Sequence, residues 1–184
     1  MYVITGGAGF IGSNLLAGLE ARGARGIVVC DHLGQDDKWR NIAKRDIATI
    51  VAPENLMEFL SDSAAHVKAV FHMGAVSATT ETDVDFILEN NFHYSANLWA
   101  WCAQAGVRLI YASSAATYGD GAQGFDDAFS QAALAQLRPL NPYGWSKNLF
   151  DQAIARTVSA GSATPPQWAG LRFFNVYGPN EYHK

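Results

Sequence analysis

The chain has 184 residues, 49% of them hydrophobic and 16% charged, with a formal net charge of −4 at neutral pH. This is enough for one domain with a core of its own, and the acidic balance argues against a protein that neutralises a nucleic-acid backbone. No apolar run approaches the roughly 18 residues that a membrane span needs, and no charged-then-apolar leader precedes Tyr2, so a soluble, cytoplasmic protein is expected.

Short β-branched runs alternate with helical spacing along the chain. Residues 2–5 read as a strand that passes into Thr5-Gly-Gly-Ala-Gly-Phe-Ile-Gly12 and a helix over 10–22. Strand 26–30 ends at Asp31, and residues 53–60 carry helical spacing with Pro53 suited to a first turn. Strand 69–72, a long helix over 83–104, strand 108–112, a helix over 143–157 and strand 171–174 follow. Residues 119–124 and 160–166 read as surface loops. Strands that are apolar throughout and separated by helices predict an α/β fold: a Rossmann-type, doubly wound parallel sheet with helices on both faces. With no repeat and no linker, residues 1–184 are expected to form one dinucleotide-binding domain.

Cys30 and Cys102 lie far apart in apolar runs and read as buried free thiols. The five histidines do not cluster; His72 and His93 suit core or helix positions, and no metal site is expected. Trp99 and Trp101 are expected to bury against the sheet or a neighbouring helix.

Gly7, Gly9 and Gly12 form a dinucleotide fingerprint in the strand–turn–helix setting the motif requires. Glycine lets the backbone approach a pyrophosphate, and the helix N-terminus offers unpaired N–H groups. Asp31, about 20 residues on, is placed to accept from an adenine-ribose hydroxyl, while Lys38, Arg40 and Arg45 could neutralise a 2′-phosphate. Tyr143 and Lys147 stand four apart on one helix face. There an ammonium would favour the phenolate of a tyrosine that exchanges a proton with a substrate hydroxyl during hydride transfer. Ser113, Ser114 and Thr117 reach the carboxyl edge of the sheet, where Ser114 could orient the reacting C–O.

Taken together these residues resemble the extended short-chain dehydrogenase/reductase family, the NAD-dependent epimerases and dehydratases, over the whole chain. Phe71-His-Met-Gly-Ala-Val-Ser-Ala-Thr-Thr-Glu81, Glu89-Asn-Asn91, Ala112-Ser-Ser-Ala-Ala-Thr-Tyr-Gly119 and Phe174-Asn-Val-Tyr-Gly-Pro-Asn-Glu-Tyr-His-Lys184 resemble, within it, the nucleotide-sugar epimerases that act on ADP-heptose. That resemblance implies NADP-dependent inversion at C6″ of the sugar through a transient ketone, for the lipopolysaccharide core, with Tyr143 and Lys184 as two acid/base groups helped by Ser114 and Lys147. It implies cofactor contacts from Gly6, Gly7, Gly9, Phe10, Ile11, Gly12, Asp31, His32, Lys38, Met73, Gly74, Ala75, Val76, Ser77, Asn90, Lys147 and Val176, with Ser114 and Asn175 toward the substrate. It also implies a homo-oligomer in the full-length form. Pro53 stands where the family tends to have a second lysine, which leaves NAD as the alternative to NADP. Relatives continue into a further strand and a C-terminal substrate domain, so a C-terminally truncated form that binds cofactor without turning over the sugar is expected. Another nucleotide-sugar epimerase or dehydratase, or a non-catalytic cofactor-binding module, are the competing expectations.

Overall fold

A computed structural model describes residues 1–35 and 37–181. It contains a six-stranded sheet in the order β3-β2-β1-β4-β5-β6, formed by β1 (Tyr2–Thr5), β2 (Ile27–Cys30), β3 (Ile47–Val51), β4 (Ala69–His72), β5 (Arg108–Ser114) and β6 (Trp168–Phe173). This is the order of the dinucleotide-binding doubly wound fold. The chain divides into two compact units, one of residues 1–74, 107–110 and the segment from 176, the other of residues 75–106 and 111–175.

In the first unit β1 runs parallel to β2 on one side and to β4 on the other, and β2 runs parallel to β3. β1 and β2 are buried almost throughout, as their unbroken apolar runs require, and Ile4, Ala8, Leu16, Ile27, Val29 and Ile42 form the core. The apolar side chains of α1 (Phe10–Ala21), such as Leu16, pack onto this core. β3 was not expected from the sequence. It is an edge strand whose central three residues are exposed, so its β-branched run carries no burial pattern. Pro53 opens a single 3₁₀ turn, Pro53–Asn55, ahead of α2 (Leu56–Asp62), because a proline lacks the donor a helix interior needs. The direction of winding reverses between β2 and β4, which flank β1, so the carboxyl ends of β1 and β4 lie at the switch point, the place where sheets of this order hold ligands.

In the second unit the single helix expected over 83–104 is three pieces: α3 (Val84–Leu88), a π-helical turn Glu89–His93, and α4 (Tyr94–Ala105). Asp83 caps α3 by accepting from the Phe86 N–H at 2.9 Å. β5 runs two residues further than expected, to Ser114, and β6 starts three earlier, at Trp168. Trp99 packs edge-on against Trp168, with ring centroids 5.1 Å apart. A Cβ on Gly170 would stand 2.4 Å from the Tyr111 ring, so glycine gives that ring its room on β6. A short helix α5 (Gln131–Gln136) was not expected; the Ser130 hydroxyl caps it, accepting from Ala133 N–H at 3.1 Å. α6 (Pro142–Ser159) has Pro142 in its first turn and Asn141 as cap, accepting from Gly144 N–H at 2.8 Å.

Cys30 and Cys102 are both buried, and burial pushes the Cys102 thiol up to about 12. His72 is buried with its Nδ1 2.7 Å from the Thr5 hydroxyl. Among the described residues no helix is long and apolar enough to cross a membrane.

Candidate active site

The turn after β1 is built by close backbone approach. Gly6 has φ +63, and a Cβ there would stand 2.7 Å from the backbone of Gly74; a Cβ on Gly12 would lie 2.1 Å from the Gly6 carbonyl oxygen. These two glycines pack turn against strand end and helix against turn. Gly9 differs, because its Cβ would meet only the Gly6 carbonyl, at 3.2 Å. As the N-cap of α1, Gly9 contributes no capping side chain, and the first turn of the helix holds no acidic residue. The backbone therefore presents a positive helix end and a surface without side chains, which fits a dinucleotide pyrophosphate. Thr5 ties the end of β1 to the residues after β4, its hydroxyl oxygen accepting from Gly74 N–H at 3.1 Å.

Asp31 stands at the end of β2 and accepts from Ala8 N–H of the glycine turn at 2.9 Å, so the acidic residue is held by the turn itself. Its other oxygen receives the Lys38 ammonium at 2.5 Å, and both side chains are largely withdrawn from solvent. Arg40 pairs with Asp37 at 3.1 Å and Arg45 with Glu20 at 3.3 Å. Of the three cations that the sequence brings near Asp31, only Lys38 meets it. His32 is exposed and stands 3.4 Å from Glu54.

In the second unit Ser114 ends β5 and Tyr143 and Lys147 lie on the first turns of α6. The Ser114 hydroxyl bonds the Tyr143 phenol, and its oxygen also accepts from Ala116 N–H at 3.1 Å. Burial raises the Tyr143 phenol above its ordinary value, and the Ser114 bond offsets part of that rise. Lys147 is buried, and its Nζ donates to the Ala112 carbonyl at 3.0 Å, a partner that the helix spacing did not suggest. Desolvation pulls Lys147 down to about 8, against the charge of Asp151, which raises it. The physical reason is direction: four residues on a helix share a face, but β5 offers the lysine a buried carbonyl that needs a donor.

Asp151, one helical turn beyond Lys147, is a buried carboxyl that the sequence reading passed over. Ser113 donates to it at 2.8 Å and Tyr111 at 3.0 Å from β5, and the Arg172 Nε stands 3.4 Å away on β6. Burial raises Asp151 from its ordinary value, opposed by these donors and by the Arg172 charge. Its signal was available as a carboxylate at i+4 from a lysine on an apolar helix face. Ser113 and Thr117 serve structure: the first donates to Asp151 and the second to the Ser114 carbonyl at 2.8 Å.

The remaining expected contacts are dispersed. Gly74 closes on the glycine turn, Ala75 and Val76 are half-buried, and Ser77 is exposed. Asn90 turns its side chain back to donate to the Phe86 carbonyl at 2.8 Å. Asn175 is exposed and Val176 half-buried. Lys184 lies outside the described residues.

A glycine turn opening a helix at the switch point of a 3-2-1-4-5-6 sheet defines a dinucleotide-binding α/β protein, and a Ser/Tyr/Lys set on β5 and α6 is that of the short-chain dehydrogenase/reductase class. The NAD dependent epimerase/dehydratase family model matches residues 2–184, and the chain belongs to that family. The chain is 48% identical over its full length to an ADP-L-glycero-D-manno-heptose-6-epimerase of Fusobacterium nucleatum, and 44% identical to one of Alkalilimnicola ehrlichii. It covers 55% of each, so it spans about half the length of the curated relatives it matches. The crystal structure of the Helicobacter pylori enzyme of the same name superposes on 98% of this chain, using 57% of its own, with a TM-score of 0.75 at 29% identity.

Proposed function

We propose that this chain is the cofactor-holding part of an epimerase that inverts C6″ of an ADP-activated heptose with NADP, in supply of the lipopolysaccharide core. The observation that carries this reading is the 44–48% identity, along all of the chain, to relatives that share one name. The bound nicotinamide supplies a place for hydride to leave to and return from. Everything else is work for this chain's own residues. Gly6, Gly7, Gly9 and Gly12 with the start of α1 hold the pyrophosphate, and Asp31 with Lys38 holds the adenine ribose. A 2′-phosphate is favoured over a bare ribose because Lys38 compensates Asp31, removing the repulsion that an uncompensated carboxylate would exert.

As the ketone forms Tyr143 takes the proton of the C6″ hydroxyl, and as the ketone is reduced on its opposite face a second group supplies one; in the reverse inversion Tyr143 is the donor. Its raised phenol suits the donating half of this cycle, and Ser114 steadies the oxyanion in the other. Lys147, charged at neutral pH, adds positive charge on the helix face that carries Tyr143, which favours the phenolate. Lys184 is proposed as the second proton-transfer group, on the resemblance of the C-terminal run.

Two measurements test the reading. Calorimetric titration should show saturable binding of NADPH that is tighter than that of NADH. No binding of either would refute the cofactor assignment, and tighter NADH binding would reverse the choice. The protein in the length its gene encodes, given NADP and either C6″ epimer of ADP-heptose, should interconvert them by NMR. Turnover unchanged by Tyr143→Phe would remove the mechanism.

A further inference from the structure

The chain after β6 comes back to α1, and two asparagines fasten it there. The segment from Val176 belongs to the first unit, with β1 and α1. Asn14, on the second turn of α1, donates from its Nδ2 to the Phe10 carbonyl at 2.9 Å and to the Pro179 carbonyl at 2.7 Å. In the opposite direction the Asn180 Nδ2 donates to the Ser13 hydroxyl oxygen at 3.0 Å. Ser13 is fully buried, and its hydroxyl donates to the Phe10 carbonyl at 3.1 Å. Gly178 crosses the Phe10 ring, where a Cβ on the glycine would lie 3.5 Å from the nearest ring atom.

The chemistry leaves each amide one workable orientation. Both partners of Asn14 are carbonyl oxygens, so its nitrogen must face them; Ser13 has given its hydrogen to Phe10, so its oxygen is left to accept. One amide of the helix therefore holds the segment and one amide of the segment holds the helix, across 165 and 167 residues of sequence. A carboxylate in either place would set acceptor against acceptor. Asn180 does this at φ +72, and among the described residues it alone has a positive φ without being glycine. Asparagine is one of the few side chains that adopt this left-handed backbone readily. The clasp closes on the first turns of the helix whose amino end is uncapped and free of acidic side chains.

We infer that Asn14 and Asn180 are positioning residues: through Pro179 and Ser13 they fix the segment after β6 on the first turns of α1, which couples dinucleotide binding at that helix end to the holding of the run toward Lys184. This rests on the reading that the amino end of α1 receives the pyrophosphate and that Lys184, four residues beyond Asn180 and outside the described residues, transfers a proton. Each asparagine acts through its partner and not on the cofactor. A dinucleotide that orders the helix end strengthens the clasp, and the clasp strengthens dinucleotide binding by the same factor, because coupling between two sites is reciprocal.

The first arm of the test uses the 184-residue chain without cofactor. ¹⁵N relaxation of the Gly178, Asn180 and Glu181 amides should give order parameters close to those of α1, about 0.8, and these should fall below about 0.6 in Asn14→Ala and in Asn180→Gly while α1 and β1 stay rigid. Alanine keeps the helix and glycine keeps the left-handed backbone, so each variant removes the amide and little else. In the second arm NADPH is titrated by calorimetry. Either variant should bind it about fivefold or more weakly than the unsubstituted chain, and the double variant no more weakly than the weaker single, because both changes open one clasp. A contact that serves only the fold would lower the order of the segment without moving NADPH affinity. Order parameters unchanged in either variant would overturn the inference, as would an unchanged NADPH affinity or losses that add in the double variant. If the unsubstituted chain binds neither NADPH nor NADH, the cofactor reading fails and the coupling with it, whereas the clasp itself is judged by the relaxation arm.

Discussion

Lys147→Met separates the electrostatic burden of the site from the rest of the fold. The lysine is buried and pulled from 10.5 to about 8 by desolvation, so the native state holds its proton more weakly than the unfolded chain does. Below pH 8 both states carry the charge, and the native state bears the full desolvation penalty. Between about pH 8 and 10.5 the unfolded chain binds the extra proton, so stability rises with pH relative to a chain without this group. The fall from 10.5 to about 8 corresponds to roughly 3 kcal/mol. Urea unfolding of the unsubstituted chain and Lys147→Met at pH 7, 8, 9 and 10 should therefore show a difference that moves by about 2–3 kcal/mol in favour of the lysine chain as pH rises. The comparison cancels the other titrating groups. Curves that stay parallel across this window would mean that the native lysine keeps its ordinary affinity for protons, and the desolvated ammonium on the Ala112 carbonyl would be refuted.

Gly12→Ala should destabilise the chain by about 3 kcal/mol or more in urea unfolding, since its Cβ would stand 2.1 Å from a backbone oxygen, whereas Gly9→Ala should cost under about 1 kcal/mol. Calorimetry should nonetheless find NADPH binding weakened in Gly9→Ala, because the methyl occupies the uncapped helix end. If the proposed choice of NADP holds, Lys38→Met should lower the ratio of NADPH to NADH affinity by about tenfold, the loss of one cation beside the adenine ribose; an unchanged ratio would move that selectivity elsewhere. Asp151→Asn should cost about 3–5 kcal/mol of stability by removing the partner of a mostly buried Arg172, and thermal unfolding at matched pH measures it.

Much of the first unit was legible before any coordinates. A fingerprint of glycines between an apolar strand and a helix can be satisfied in few ways, and the buried strands announce themselves by lacking polar residues. The edge strand β3 escaped for the converse reason, that its exposed centre leaves no pattern. Arg40 and Arg45 are as basic in sequence as Lys38, yet each finds a different carboxylate in the fold. A list of charges cannot assign partners that are met only across a turn or a helix.

The sequence by itself determined the class of sheet and the glycine turn between β1 and α1, and it singled out the Tyr143 and Lys147 pair proposed for proton transfer, because each depends on residue types at short spacing. Tertiary structure alone decided where those groups point. Lys147 turns to a carbonyl on β5, Asp151 draws donors from two strands, and Asn91 meets a backbone position 15 residues away and a serine 55 residues away. Buried polar groups must find partners wherever the packed chain offers them, and those partners lie on elements that local sequence cannot bring together.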